Sequence, residues 1–205
     1  MRYAHARPLH AHENPGPGDI LVEHTRTLPG LVIRAGAIAA GSLTRINHVG
    51  VICAAHADEW LTAEAHAGRG YTLMTRTDLR GAVLRVSDDP AERARVVDAA
   101  VELAPLRYSW LSIVRIALWT LAQLTSSRRW LPGRTITKLY EITRDDTRGT
   151  HVTCGEATRN VLEQTIGPVP GMEHLPVWKT TPAALCDALL GFKSYSAGLP
   201  TCGKC

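Results

Sequence analysis

The chain has a single phenylalanine against five tryptophans and five tyrosines, so aliphatic side chains must fill most of its core. It lacks an apolar run of the ~20 residues that a membrane-spanning helix needs. The nearest candidate, residues 110–124, is shorter and is interrupted by Arg115. Cysteine is sparse and odd in number: five residues (Cys53, Cys154, Cys186, Cys202, Cys205) with no framework spacing, which argues against a disulfide-stapled secreted domain. Residues 1–18 are rich in His, Pro and Gly and lack the apolar stretch of a secretory leader. Together these features set the expectation of a reducing, cytoplasmic setting. The formal charge of +4 is modest, and the basic residues are dispersed rather than drawn into a stripe with stacking aromatics. No nucleic-acid partner is expected.

What is present is an ordinary globular balance, 45% hydrophobic and 20% charged, which supports a real core and excludes wholesale disorder. The length suits one domain. Residues 1–17 read as a flexible arm, and its His5, His10 and His12 have no regular ligand spacing, so a solvated tail is expected rather than a metal site. Residues 18–192 form the domain, with a helical insertion at about 109–150, and 193–205 is a tail. Short apolar runs bounded by turn residues predict strands at 20–22, 48–53, 60–65 and 83–86. Residues 30–41 are Gly/Ala/Ile-rich and suit a short helix, and 90–104 have helical spacing with Pro90 in the first turn. Residues 110–124 recur at helical spacing through Trp110, Ile113, Val114, Ala117, Leu118, Leu121 and Leu124, with Arg128, Arg129 and Trp130 following. Core packing and an interfacial or lid helix both suit that segment, which leaves peripheral membrane contact through 110–130 open.

The stretch Thr153-Cys154-Gly155-Glu156 carries the most chemical information. Thr followed three residues later by Glu is a capping box, and Ala157, Val161, Leu162 and Ile166 continue it as an amphipathic helix. Cys154 then occupies the first helical position. The unpaired N–H groups and the positive end of the helix dipole there favour a thiolate, and the same groups can stabilise an oxyanion. The pattern alone suits a small buried helix-start residue equally well. A base must be a histidine, and His48 is best placed, opening an apolar strand and sharing a face with Gly50 and Ile52. Glu64, mid-strand among Leu61, Ala63 and Ala65, needs a partner, and orienting His48 would supply one. His66, on the face of Glu64, is a rival base, and His151 a weaker one. Cys53 and Cys186 read as core. Cys202-Gly203-Lys204-Cys205 is half of a zinc site at best and reads as tail.

Four landmarks in order, Gly18-Asp19-Ile20-Leu21, Asn47-His48-Val49-Gly50-Val51, Ala63-Glu64-Ala65 and Cys154-Gly155-Glu156, resemble the circularly permuted, YiiX-like branch of the NlpC-type papain-like hydrolases. That family is related to lecithin:retinol acyltransferase-like proteins. Thr181-Pro182-Ala183-Ala184-Leu185 is similar to a Ser/Thr-Pro segment near the end of such chains. The resemblance spans roughly residues 18–190 by landmarks and departs from the family at the long stretch from Trp110 to His151. It implies an α+β, circularly permuted papain-like fold with a small antiparallel sheet packed on the nucleophile helix. It also implies Cys154 as nucleophile, His48 as base and Glu64 as orienting residue.

The function expected is a thiol hydrolase, amidase or peptidase in type, working through a covalent acyl-enzyme without cofactor or metal. Its substrate would be a peptide, peptidoglycan or lipid-linked amide or ester. A lipid-directed esterase or acyltransferase is the alternative, and a non-catalytic binding module on the same fold is a third reading.

Overall fold

Short apolar runs such as those at 20–22 and 49–55 build the central strands, and Gly and Asp punctuate the chain between strands. The computed structural model describes residues 6–10, 12–39, 46–104, 106–110, 113, 114, 117, 118, 151–173 and 180–191. Outside the described residues lie His5, the 193–205 tail with Cys202 and Cys205, and most of the expected 109–150 insertion, with Arg115, Arg128, Arg129 and Trp130. The elements in chain order are β1 (Arg7–Pro8), β2 (Ile20–Glu23), α1 (Leu28–Ala39), β3 (His48–His56), β4 (Glu59–His66), β5 (Gly70–Arg76), β6 (Ala82–Arg85), α2 (Pro90–Leu103), β7 (Arg107–Tyr108), β8 (His151–Val152), α3 (Cys154–Thr165) and α4 (Pro182–Leu189). The chain is thus α+β, as expected.

One sheet of six strands runs in the order β1-β6-β2-β3-β4-β5, with every neighbouring pair antiparallel. A second, parallel pair joins β7 to β8, which sets Tyr108 opposite Val152, two residues before Cys154. The two faces of the large sheet are used differently. Val49, Val51, Ala63 and Ala65 enter the main core with residues of α2, α3 and α4. On the other face Leu21, Ile52 and Val83 form a small cluster of their own, with Leu9 and Trp60 against it. Period-two alternation therefore puts His48, Gly50, Thr62 and Glu64 on the same side of their strands as Ile52. Helix α3 packs on β3, β4 and α2, and α4 packs against α1 and α3.

Two segments differ from the sequence reading. Part of the expected flexible arm is docked: β1 pairs with β6, Leu9 N–H donates to Val83 O at 2.9 Å, and Arg7 pairs with Glu13 at 2.6 Å. Arg85 of β6 pairs with Glu13 of the arm at 3.3 Å. The arm therefore has partners on an edge that it covers. Strand β5 was not expected, although its Tyr-Thr-Leu-Met-Thr run has the β-branched and aromatic bias of a strand. In the 110–124 segment the described residues Trp110, Ile113, Val114, Ala117 and Leu118 are helical. Ile113 is buried while Trp110 and Val114 stand exposed, so the apolar stripe is only partly covered.

The start of α3 is held as its sequence implies. Thr153 Oγ1 accepts from Glu156 N–H at 3.3 Å, and Glu156 Oε2 accepts from Thr153 N–H at 2.6 Å. Gly155 permits close contact with the strand-like residues before α4: a Cβ there would lie 2.2 Å from Thr180 O. Thr153→Ala is expected to lower the unfolding free energy by about 1 kcal/mol. Gly155→Ala should lower it by about 1–3 kcal/mol through overpacking. Urea unfolding measures both, and a Gly155→Ala chain as stable as wild type would contradict this seating of Thr180.

Candidate functional site

Cys154 is the first residue of α3 and is buried, yet it lines a cleft of about 140 Å³ together with His48, His66 and Tyr108. The opposite wall is the turn into α1, with Thr27, Gly30 and Ile33. Asn47 holds that wall in place. Its Oδ1 accepts from Thr25 N–H at 2.7 Å and its Nδ2 donates to Thr25 O at 2.8 Å, so one buried amide acts as a strand-like partner for the loop.

His48, Glu64 and Cys154 are brought together from β3, β4 and α3. His48 Nε2 lies 2.5 Å from Glu64 Oε2, and Cys154 is the other side chain that acts electrostatically on the same ring. A carboxylate has no proton to give, so Nε2 carries the hydrogen. Nδ1 is then the atom left to exchange a proton with the thiol. The register makes this contact: Gly50 stands directly across from Glu64, and a Cβ on Gly50 would meet Glu64 Cγ at 2.6 Å. The space at Gly50 is filled by the carboxylate arm itself.

Glu64 has no solvent exposure, and donors converge on both its oxygens. Oε1 accepts from Thr62 Oγ1 at 2.5 Å and from Arg76 Nε at 2.7 Å. Oε2 accepts from His48 Nε2 at 2.5 Å, His66 Nε2 at 3.0 Å and Arg76 Nη2 at 2.9 Å. Arg76 also donates through Nη1 to Glu23 Oε1 at 2.7 Å, and Glu23 is the cross-strand partner of His48. Two buried carboxylates thus share one guanidinium, which leaves negative charge for His48 to meet. Burial alone would lower the His48 pKa; hydrogen bonds and charges from Cys154 and Glu64 outweigh it and raise the pKa to about 10. Burial pushes Glu64 up, but His48, His66 and Thr62 hold it well below the usual carboxylate range. Tyr108 is pushed up by burial and by the nearby Cys154 and Glu156, so its phenol stays a neutral donor.

Arg76, Thr62, Glu23 and Asn47 were missed by the sequence reading. Arg76 had a signal available, because it ends a β-biased run, but the run itself was passed over. His66 is not the residue coupled to the thiol. It binds Glu64 from the cleft side, and the side chain of His151 lies outside the described residues. His10 and His12, expected as solvated arm, stack at 5.7 Å. Among the described residues, His48, Glu64 and His66 also form a group whose ligand atoms lie within 4.8 Å of one another. A divalent cation there would face the Arg76 guanidinium on the same carboxylate, and both imidazole Nε2 atoms already carry hydrogens toward it. The arrangement therefore suits proton transfer better than metal binding.

No protein-family model, no curated protein and no solved structure matches the chain.

Gly50→Ala is expected to push Glu64 out of line and to cost about 1–3 kcal/mol. Arg76→Met, which leaves Glu23 and Glu64 without their shared cation, should cost about 3–5 kcal/mol. Urea unfolding of each variant reads both, and near wild-type stability of Arg76→Met would remove the charge-sharing account. The pH dependence has a definite sign. With its folded pKa raised, His48 contributes stability that is complete below its unfolded value of about 6.5. That contribution declines as pH rises toward about 10. Glu64, with a lowered folded pKa, contributes stability above its unfolded value of about 4.3 that is lost as pH falls. Urea midpoints from pH 6 to 10 should fall in wild type and flatten in His48→Gln; parallel curves would refute the assignment.

Proposed function

We propose that the chain is a cysteine hydrolase of circularly permuted papain-like architecture, cleaving an amide through Cys154, His48 and Glu64. The observation that carries this is the placement of one imidazole between a fully buried carboxylate and a cysteine at a capped helix start, in an open cleft. Glu64 holds the ring by Nε2–H and stabilises the imidazolium. The Cys154 thiolate attacks the carbonyl carbon, the S–C bond forms, and the tetrahedral oxyanion faces the helix N-terminus. The cap uses the Glu156 N–H and the Thr153 carbonyl takes the Ala157 N–H. The amides of Cys154 and Gly155, which a helix leaves without intrahelical acceptors, are the natural oxyanion donors. As the C–N bond breaks, His48 gives its proton to the departing amine. Water then attacks the thioester carbonyl, passes a proton to His48 and releases the acid with the thiolate restored.

Cys154→Ala and His48→Ala should each abolish turnover on a verified substrate, and either variant retaining it would overturn the mechanism. Alkylation by iodoacetamide, read at the Cys154 peptide by mass spectrometry, tests the pair without a substrate. Wild type should react at pH 6, and His48→Ala should slow that reaction at least about tenfold, since the imidazolium partner is lost. Buried Cys53 and Cys186, pushed up to about 11 and about 12 by burial, should stay unlabelled at that pH.

A second reading, a lipid-linked amide or ester as substrate, is favoured by α1. Its inner residues Gly30 and Ile33 wall the cleft, while Leu28, Leu31 and Ile38 on its outer side are 75%, 49% and 57% exposed. No helix among the described residues is long and apolar enough to cross a membrane, so any lipid contact would be peripheral. If lipid is the substrate setting, liposomes should raise turnover and Leu28→Ser/Leu31→Ser should remove the increase. Indifference to liposomes would leave the soluble amide reading alone.

A further inference from the structure

Glu64 holds two imidazoles, and they are not equivalent. The side chain of His48 is 7% exposed and is coupled to the thiol, whereas that of His66 is 30% exposed and lines the cleft beside Cys154. The rings lie 4.9 Å apart, tilted by 44°. His66 ends β4, pairs with Gly70 in β5, and its carbonyl accepts from Arg69 N–H at 3.1 Å, so a strand end rather than a free loop positions it. Its Nε2–H donates to Glu64 Oε2 at 3.0 Å. In the neutral ring the lone pair is then on Nδ1, the atom not bound by the carboxylate.

We infer that His66 is the acceptor-binding residue of the site, taking a hydrogen bond at Nδ1 from the N–H or O–H of the group that leaves or enters the acyl carbon. This rests on the Cys154–His48–Glu64 reading and deepens it. The leaving amine and the incoming nucleophile occupy the same side of the acyl group, so one acceptor serves both steps. His48, buried and held by Glu64 at Nε2, handles the proton; His66 orients its carrier. The chemical class selected is a primary amine or an alcohol with a hydrogen to donate, in preference to a group with none. A purely structural His66, present only to help neutralise Glu64, would instead act through His48.

The test uses the full chain, 4-nitrophenyl acetate as acyl donor and glycinamide as acceptor. 4-Nitrophenolate needs no hydrogen-bond acceptor to leave, so the burst of nitrophenolate reports acylation alone, and Cys154→Ala supplies the background. Product release after the burst, as N-acetylglycinamide and acetate, reports deacylation. In His66→Ala deacylation by glycinamide and by water should both fall about tenfold, the loss of one hydrogen bond, and by more than the burst rate falls. His66→Gln keeps one donor for Glu64 and one acceptor for the cleft, and should recover most of the deacylation rate. An unchanged deacylation rate in His66→Ala overturns the assignment. So does a burst and Cys154 alkylation slowed as in His48→Ala, which would make His66 a support for Glu64 only. A wild-type chain without a Cys154-dependent burst would instead sink the hydrolase reading and the assignment with it.

Discussion

A carboxylate without solvent exposure stands in the middle of β4, and the polar half of the structure is arranged around it. Removing such an ion from water costs several kcal/mol, and only surrounding donors with good geometry offset the loss. The donors come from three strands: His48 from β3, Thr62 and His66 from β4, Arg76 from β5. Through Arg76 the network reaches Glu23 on β2. The register of four adjacent strands is therefore tied to one charge. A slip of one residue would turn every one of these side chains to the aliphatic face, where no partner waits.

The other face of the sheet answers a different demand. With phenylalanine almost absent, the core between sheet and helices is mainly aliphatic, and beside Leu84, Leu162, Leu185 and Leu189 it holds many short side chains: Val49, Val51, Ala63 and Ala65 on the strands, Ala99, Ala100, Ala157 and Val161 on the helices. Short side chains draw the helices close, and Gly155 brings the first turn of α3 against Thr180. Close packing of this kind tolerates little movement. The position of Cys154 is thus set by apolar packing and a capping box, and that of His48 by a charged network. The site lies where these two rigid systems meet, at the beginning of β3 and the beginning of α3.

Much of this was readable from residue order. The capping box, the strand that begins at His48 and the mid-strand carboxylate each carry a local signal, because caps, alternation and an ion in an apolar run are properties of a few neighbouring residues. Gly50 was readable as a place of close approach, but not as the place of Glu64, since cross-strand register depends on the turn at 57–58 and a bulge near Cys53. Arg76 and Glu23 were beyond reach for the same reason. They lie 12 and 41 residues from Glu64 along the chain, and only the successive pairings β2–β3, β3–β4 and β4–β5 bring them together. The docked arm differs for another reason: Pro and Gly suggest a solvated segment, while the ion pairs that tie it to the domain, Arg7–Asp88 and Arg85–Glu13, are long-range contacts.

The three described cysteines show why neighbours decide more than burial. Cys53, Cys154 and Cys186 are 7%, 2% and 2% exposed, so accessibility does not separate them. Cys53 sits in mid-strand and Cys186 inside α4, and low dielectric raises both thiols toward inertness. Cys154 is equally buried, but it begins a helix and faces an imidazole that a carboxylate holds from behind. Its place beside His48, and not its exposure, is what separates Cys154 from the other two.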